Sequence, residues 1–179
     1  MNRKSLNLIL IGVFLISVRF LITMGIVRLD VSSDIIGYIL IICGMQGFRT
    51  INSLSKKAFV VSWLGLIGAI VSQVINSLSW PSDVASTMYS ISIGISVIFS
   101  IYFTYYFIEA LMLEAKVQDK QAVTRNYQIM WFVLAAVIFA HYFIFMSAVS
   151  VQSTVVEVIV VIIAMYTCLN IKNSAKQLM

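Results

Sequence analysis

The segment from Asp34 to Lys57, DIIGYILIICGMQGFRTINSLSKK, most constrains what this chain can fold into. It opens on an acid, runs through an apolar stretch and ends on Arg49, Lys56 and Lys57. A helical crossing of a bilayer needs about 20 mostly apolar residues, and cationic flanks favour the cytoplasmic side. The segment therefore reads as one crossing whose ends state its direction. Gly37 and Gly44 share one face of such a helix and Gly47 extends it. Small residues on one face let helix backbones approach closely.

The remainder of the chain repeats that pattern. With 61% hydrophobic residues, 11% charged residues and one proline in 179, it is far too apolar for a soluble domain, where about a quarter of residues carry charge. Apolar runs over about residues 6–27, 34–51, 58–78, 87–113, 127–149 and 153–171 predict six transmembrane helices. The expectation is an all-α polytopic membrane protein, a single bundle forming one domain over 1–179. The first run follows Arg3 and Lys4 as a signal peptide would, but it is long and no small-x-small cleavage site follows, so it reads as a retained helix. Trp80-Pro81 ends the third run. The loop EAKVQDKQAVTRN, residues 114–126, reads as a continuation of the fourth helix and then a solvated turn.

Charge fixes the expected orientation. Six crossings with the N-terminus inside gather Arg3, Lys4, Arg49, Lys56, Lys57, Lys116, Lys120, Arg125, Lys172 and Lys176 on one side, ten of the twelve basic residues. That asymmetry places both termini in the cytoplasm. Because these cations are dispersed among short loops, the net charge of +5 reflects topology and not a nucleic-acid partner. The lipid bilayer is the partner that composition demands.

Polar groups inside the apolar runs are costly and mark either pairing or function. At 1.5 Å per residue from the outer helix ends, Arg19 and His141 lie roughly 12 to 14 Å deep, Gln73 roughly 8 Å and Glu157 roughly 6 Å. With Asn76, Gln152 and the rim of Arg28, Asp30, Asp34 and Asp83, they make the outer half more polar than the inner. One reading is a cavity open to the outside that binds a small molecule through Arg19, Gln73, Asn76, His141 and Glu157, with Arg19 anchoring an anion or carboxylate. The other is structural: Arg19 pairs with Glu157 or snorkels to the headgroups, and His141 bonds between helices. Ser92, Ser96, Ser100 and Thr104, four residues apart, form a polar seam of the kind that packs helices.

Catalytic chemistry finds little support. Cys43 lies about level with His141, yet no third group is at hand to orient such a pair. Cys43 and Cys168 each fall inside an apolar run, and neither a metal-ligand spacing nor a phosphate loop occurs. The chain reads as a non-enzyme without a cofactor or metal.

The stretch Asp34-Ile-Ile-Gly-Tyr-Ile-Leu-Ile, with Gly44 following, resembles a recurring sequence in small uncharacterised multi-pass membrane proteins of Firmicute-type bacteria, although Ser33 stands where those proteins often carry proline. The resemblance implies a bacterial cytoplasmic membrane and transfers no functional residue. Size, six spans and cytoplasmic termini are also similar to the substrate-binding subunits of energy-coupling-factor vitamin importers, which bind ligand from outside; the first span lacks their Ala-x-x-x-Ala-like seam. The expectation is a transport component or sensor that binds a small molecule from the outer side. The alternative is an accessory or immunity subunit docked onto another membrane protein through the Gly37, Gly44 and Gly47 face and the inner basic loops.

Overall fold

The computed structural model describes residues 2–18, 21–24, 27–30, 34–78, 80–146 and 152–178. In chain order the elements are α1 (Arg3–Ser17), β1 (Leu21–Met24), β2 (Val27–Asp30), α2 (Asp34–Gln46), α3 (Ser53–Ser77), α4 (Ser82–Val117), α5 (Gln121–Met146) and α6 (Gln152–Lys176). Local chemistry sets several of these limits. Asn2 caps α1 by accepting from the Lys4 amide at 3.0 Å. Asn52 opens α3 with a reciprocal capping box: its Oδ1 accepts from the Ser55 amide at 2.9 Å while Ser55 Oγ accepts from the Asn52 amide at 3.1 Å. Two of the orphan donors at a helix start are satisfied in this way. Pro81 precedes α4, where its fixed φ suits a helix start.

The first predicted span is corrected. A single helix over about 6–27 does not form; α1 stops at Ser17, Val18 turns extended (φ −126, ψ 118), and β1 pairs antiparallel with β2, Leu21 opposite Asp30 and Met24 opposite Val27. Hydropathy alone cannot distinguish these states, but Ile22, Thr23, Ile26 and Val27 are β-branched and lean towards strand. Gly25, between β1 and β2 in sequence, is a residue type that tight hairpins favour. Other boundaries move as well: α2 ends at Gln46, α3 begins at Ser53 and α4 at Ser82. As expected, the fourth helix continues, to Val117, and a turn follows, but the fifth begins already at Gln121, which leaves only residues 118–120 between them.

Neighbouring helices run in alternating directions. Gly44 of α2 lies beside Ser5 and Ile9 of α1, and Gly37 beside Gly12 and Ile16. Tyr38 of α2 meets Gly65 of α3, and Gly68 of α3 meets Ile95 and Phe99 of α4. Asn126 near the start of α5 donates to Ser174 near the end of α6 at 2.6 Å. One end of the bundle thus gathers the start of α1, the α2–α3 and α4–α5 turns and the end of α6. Asn52 Nδ2 donates to the Ala110 carbonyl at 3.0 Å, and Gln118 Nε2 to the Leu178 carbonyl at 3.3 Å, which ties these segments together. This is the end that carries the ten basic residues; the hairpin and the α3–α4 connection form the other.

Among the described residues, four helices are long and apolar enough to cross a membrane: Ser53–Ser77, Asp83–Val117, Gln121–Ala140 and Val158–Lys176. Leu6, Ile9, Val13, Tyr38, Ile41, Met45, Phe103, Phe107, Leu111 and Tyr127 fill the interior. Val60, Trp63, Ile67 and Val74 of α3 and Ile159, Ile162 and Tyr166 of α6 face outwards. Helices apolar on both faces are what a hydrocarbon solvent requires.

Candidate binding site at the hairpin end

The polar interior is built first by α3 and α4. Ser92, Ser96, Ser100 and Thr104 are all buried on one face of α4. Ser72 of α3 stands opposite: its Oγ donates to the Ser92 carbonyl at 3.0 Å, Ser92 Oγ donates back to the Ser72 carbonyl at 3.3 Å, and Ser96 Oγ donates to Ser72 Oγ at 3.4 Å. Further along, Tyr38 Oη lies 3.5 Å from Ser100 Oγ, and Thr104 bonds back to the Ser100 carbonyl at 2.8 Å. These hydroxyls are engaged in helix contacts, and the seam joins α4 to α3 and α2.

The glycines of α2 turn towards α1. A Cβ at Gly44 would lie 2.6 Å from the Ser5 carbonyl oxygen, and one at Gly37 would lie 3.1 Å from the Gly12 carbonyl oxygen. Gly47 is exposed, 2.8 Å from Ser5 Oγ by the same measure. The face offered in sequence as a docking surface is, at Gly37 and Gly44, covered within this chain.

The hairpin end has a different construction. The 15 residues of α1 and 13 of α2 give helices about 22 Å and 20 Å long, against a hydrocarbon core of about 30 Å. The 25 residues of α3 reach about 37 Å. Above α1 and α2 the space is therefore taken by β1 and β2, with β2 packed against α3. Tyr38 is level with Gly65 and α2 runs antiparallel to α3, so β2, packed on α3, lies towards the end of α3 that holds Gln73 and Asn76. Asp34 is buried at 4% exposure in the first turn of α2, where the helix dipole favours a carboxylate.

The predicted site residues sort as follows. Gln73 and Asn76 are half-buried on α3 at this end, and Asn76 Oδ1 is buried with no hydrogen-bond partner among the described residues. His141 of α5 and Glu157 of α6 have their backbones near the same end, five residues before Met146 and five after Gln152; their side chains lie outside the described residues. Arg19 also lies outside them, and in sequence it falls between α1 and β1. The structure thus brings Gln73, Asn76 and the helical positions of His141 and Glu157 to the hairpin end.

Sequence reasoning passed over Glu109. It sits on α4 facing α5 in a cleft of about 150 Å³ walled by Tyr105, Trp131 and Phe132, with the Tyr105 and Trp131 rings edge to face at 5.6 Å. An acid within the apolar run of 87–113 was the available signal. Among the described residues no group of acids, histidines and cysteines could hold a metal ion.

Comparison with protein-family models, with curated proteins and with solved structures finds no match to this chain.

Proposed function

We propose that this protein is a non-enzymatic component of a bacterial cytoplasmic membrane that binds a small polar molecule from the outer side, as a transport component or sensor. In this reading all six helices traverse the membrane region with both termini in the cytoplasm, and α1 and α2 complete their passage through the hairpin. The observation that carries it is the depth of that hairpin. If α1 starts at the inner boundary, as Arg3 and Lys4 require, it ends about 22 Å across a core of about 30 Å, short of the outer boundary. An isolated two-stranded hairpin has open edges, and such backbone is tolerated at membrane depth only where protein buries it or a water-filled cavity bathes it. Half-buried Gln73 and Asn76, and the helical positions of His141 and Glu157, lie towards the same end of the bundle. Arg19, which falls between α1 and β1 in sequence, is the cation assigned in this reading to a carboxylate or another anion.

The competing reading, an accessory or immunity subunit docked through the α2 glycines, loses most of its named surface because α1 covers Gly37 and Gly44.

Cysteine labelling tests the proposal. In a Cys43→Ser, Cys168→Ala background, Thr23→Cys should react with a membrane-impermeant maleimide in intact cells, as Asp83→Cys does. Lys120→Cys should react only after permeabilisation. An unreactive position 23 beside a reactive position 83 would remove the water-filled cavity. Native mass spectrometry on gently extracted protein then seeks a stoichiometric small molecule that is lost in Arg19→Ala and in Glu157→Ala; an adduct retained in both variants would remove those two residues from the site.

A further inference from the structure

The opposite, basic end carries a second opening. Where α4 closes and α5 begins, a groove of about 680 Å³ is lined by Lys116, Gln121, Ala122, Thr124, Arg125 and Gln128. No acid lines it. Lys116 and Arg125 are exposed, and neither side-chain cation has a hydrogen-bond or ion-pair partner among the described residues. Lys120, between them in sequence, is already engaged: its ammonium donates to Gln118 Oε1 at 2.9 Å and to the Gln177 carbonyl. The turn that sets the two free cations on facing helices is thereby fastened to the end of α6, so they are held apart by structure and not merely tethered to a loose loop.

We propose that this groove binds a phosphate group, with Lys116 and Arg125 as its charged contacts and the side-chain amides of Gln121 and Gln128 as neutral donors. Guanidinium and ammonium groups without a carboxylate partner suit an oxyanion, and Arg in particular presents a fork that matches phosphate oxygens. The start of the 26-residue helix α5 adds the positive end of its dipole. The groove sits where apolar helices emerge from the bilayer, and basic pockets between transmembrane helices on the cytoplasmic side take anionic lipid headgroups. A soluble phosphate compound offers the same chemistry, so the test separates the two sources. Glu109, seven residues before Lys116, lies about 10 Å deeper and does not line the groove.

The test is native mass spectrometry and thermal unfolding of the full chain in detergent micelles supplemented with phosphatidylglycerol, with phosphatidylcholine or with inorganic phosphate. A phosphatidylglycerol adduct with a raised unfolding midpoint, absent with phosphatidylcholine, would assign a lipid phosphate. Stabilisation by inorganic phosphate would assign a soluble one. At about fivefold per cation, Lys116→Gln with Arg125→Gln should weaken binding roughly twenty-fivefold, whereas the exchange Lys116→Arg with Arg125→Lys should retain most of it. Arg3→Gln with Lys4→Gln removes equal charge from the same end and should change binding less than about twofold. An equal loss in both neutralised pairs would reduce the effect to diffuse surface attraction and overturn the proposal, as would the absence of any phosphatidylglycerol or phosphate effect on the wild type.

Discussion

Tyr38 of α2 occupies the space that a side chain at Gly65 of α3 would fill: a Cβ there would overlap the phenol ring and lie 2.8 Å from its hydroxyl oxygen. That absence lets a fully buried tyrosine cross to α4, where its hydroxyl meets Ser100 Oγ at 3.5 Å. One missing methyl thus joins three helices. Gly65→Ala should displace the ring and lower stability by about 1–3 kcal/mol, the usual cost of overpacking. Tyr38→Leu should recover part of that loss in the double variant, because the two sites are in contact. Additive losses in a thermal-unfolding cycle would contradict the contact.

The closest backbone approach shown by the glycines joins α1 to α2. A Cβ at Gly12 would lie 2.5 Å from the Gly37 carbonyl oxygen, an atom that moves only if a helix moves. Gly12→Val should therefore cost at least about 3 kcal/mol and appear as a loss of monodisperse protein on extraction. Gly94 of α4 is the internal control, since a Cβ there would meet nothing within 4 Å. Gly94→Ala should stabilise by about 0.5–1 kcal/mol through helix propensity. Opposite signs for two glycine substitutions in helices are the measurable signature.

Ser72 accepts from Ser96 and donates to the Ser92 carbonyl. In a membrane, interhelical hydrogen bonds average about 0.6 kcal/mol, so Ser72→Ala should cost about 1 kcal/mol. A much larger loss in thermal unfolding would mean that the hydroxyls act as a cooperative network.

The turn between α4 and α5 makes a sharper test. Asp119 has φ 54, and its amide and that of Lys120 donate to the Lys116 and Ala115 carbonyls at 3.0 and 2.9 Å, the paired bonds of a Schellman ending. Glycine usually takes this left-handed position; aspartate tolerates it and a β-branched residue does not. Asp119→Val should lower stability by about 1–2 kcal/mol, while Asp119→Gly should leave it unchanged or improved. Equal losses in both would assign the role to the carboxylate and not to the backbone.

Most of the helical plan could be read from hydropathy, because the long apolar stretches around α3, α4, α5 and α6 leave few alternatives. The break at Ser17 could not. Phe20 to Val27 is as apolar as a helix, and only β-branching and Gly25 favour a strand, weak signals beside a run of membrane length. The spacing of Ser92, Ser96 and Ser100 exposed their common face, but not Ser72 across from it, since a partner is fixed by helix adjacency. The same limit hid Gly12 opposite Gly37. For the candidate site, sequence brought Gln73, Asn76, His141 and Glu157 to the same half of the bundle by counting residues. Which side chains converge there depends on helix rotation, which counting does not supply.

Asn76 links that site to stability. Its Oδ1 is buried with no hydrogen-bond partner among the described residues, and leaving a buried acceptor unsatisfied costs about 1–3 kcal/mol. An isosteric apolar replacement removes that cost, so Asn76→Leu should be neutral or stabilising in purified, ligand-free protein. If the acceptor exists to bind a solute from the outer side, the same substitution should abolish the small-molecule adduct seen in native mass spectrometry. Stability retained with the adduct lost is the outcome expected of a binding residue held ready at a structural cost. A loss of stability comparable to Ser72→Ala would instead mean that Asn76 is already satisfied within the folded protein, and would remove it from the site.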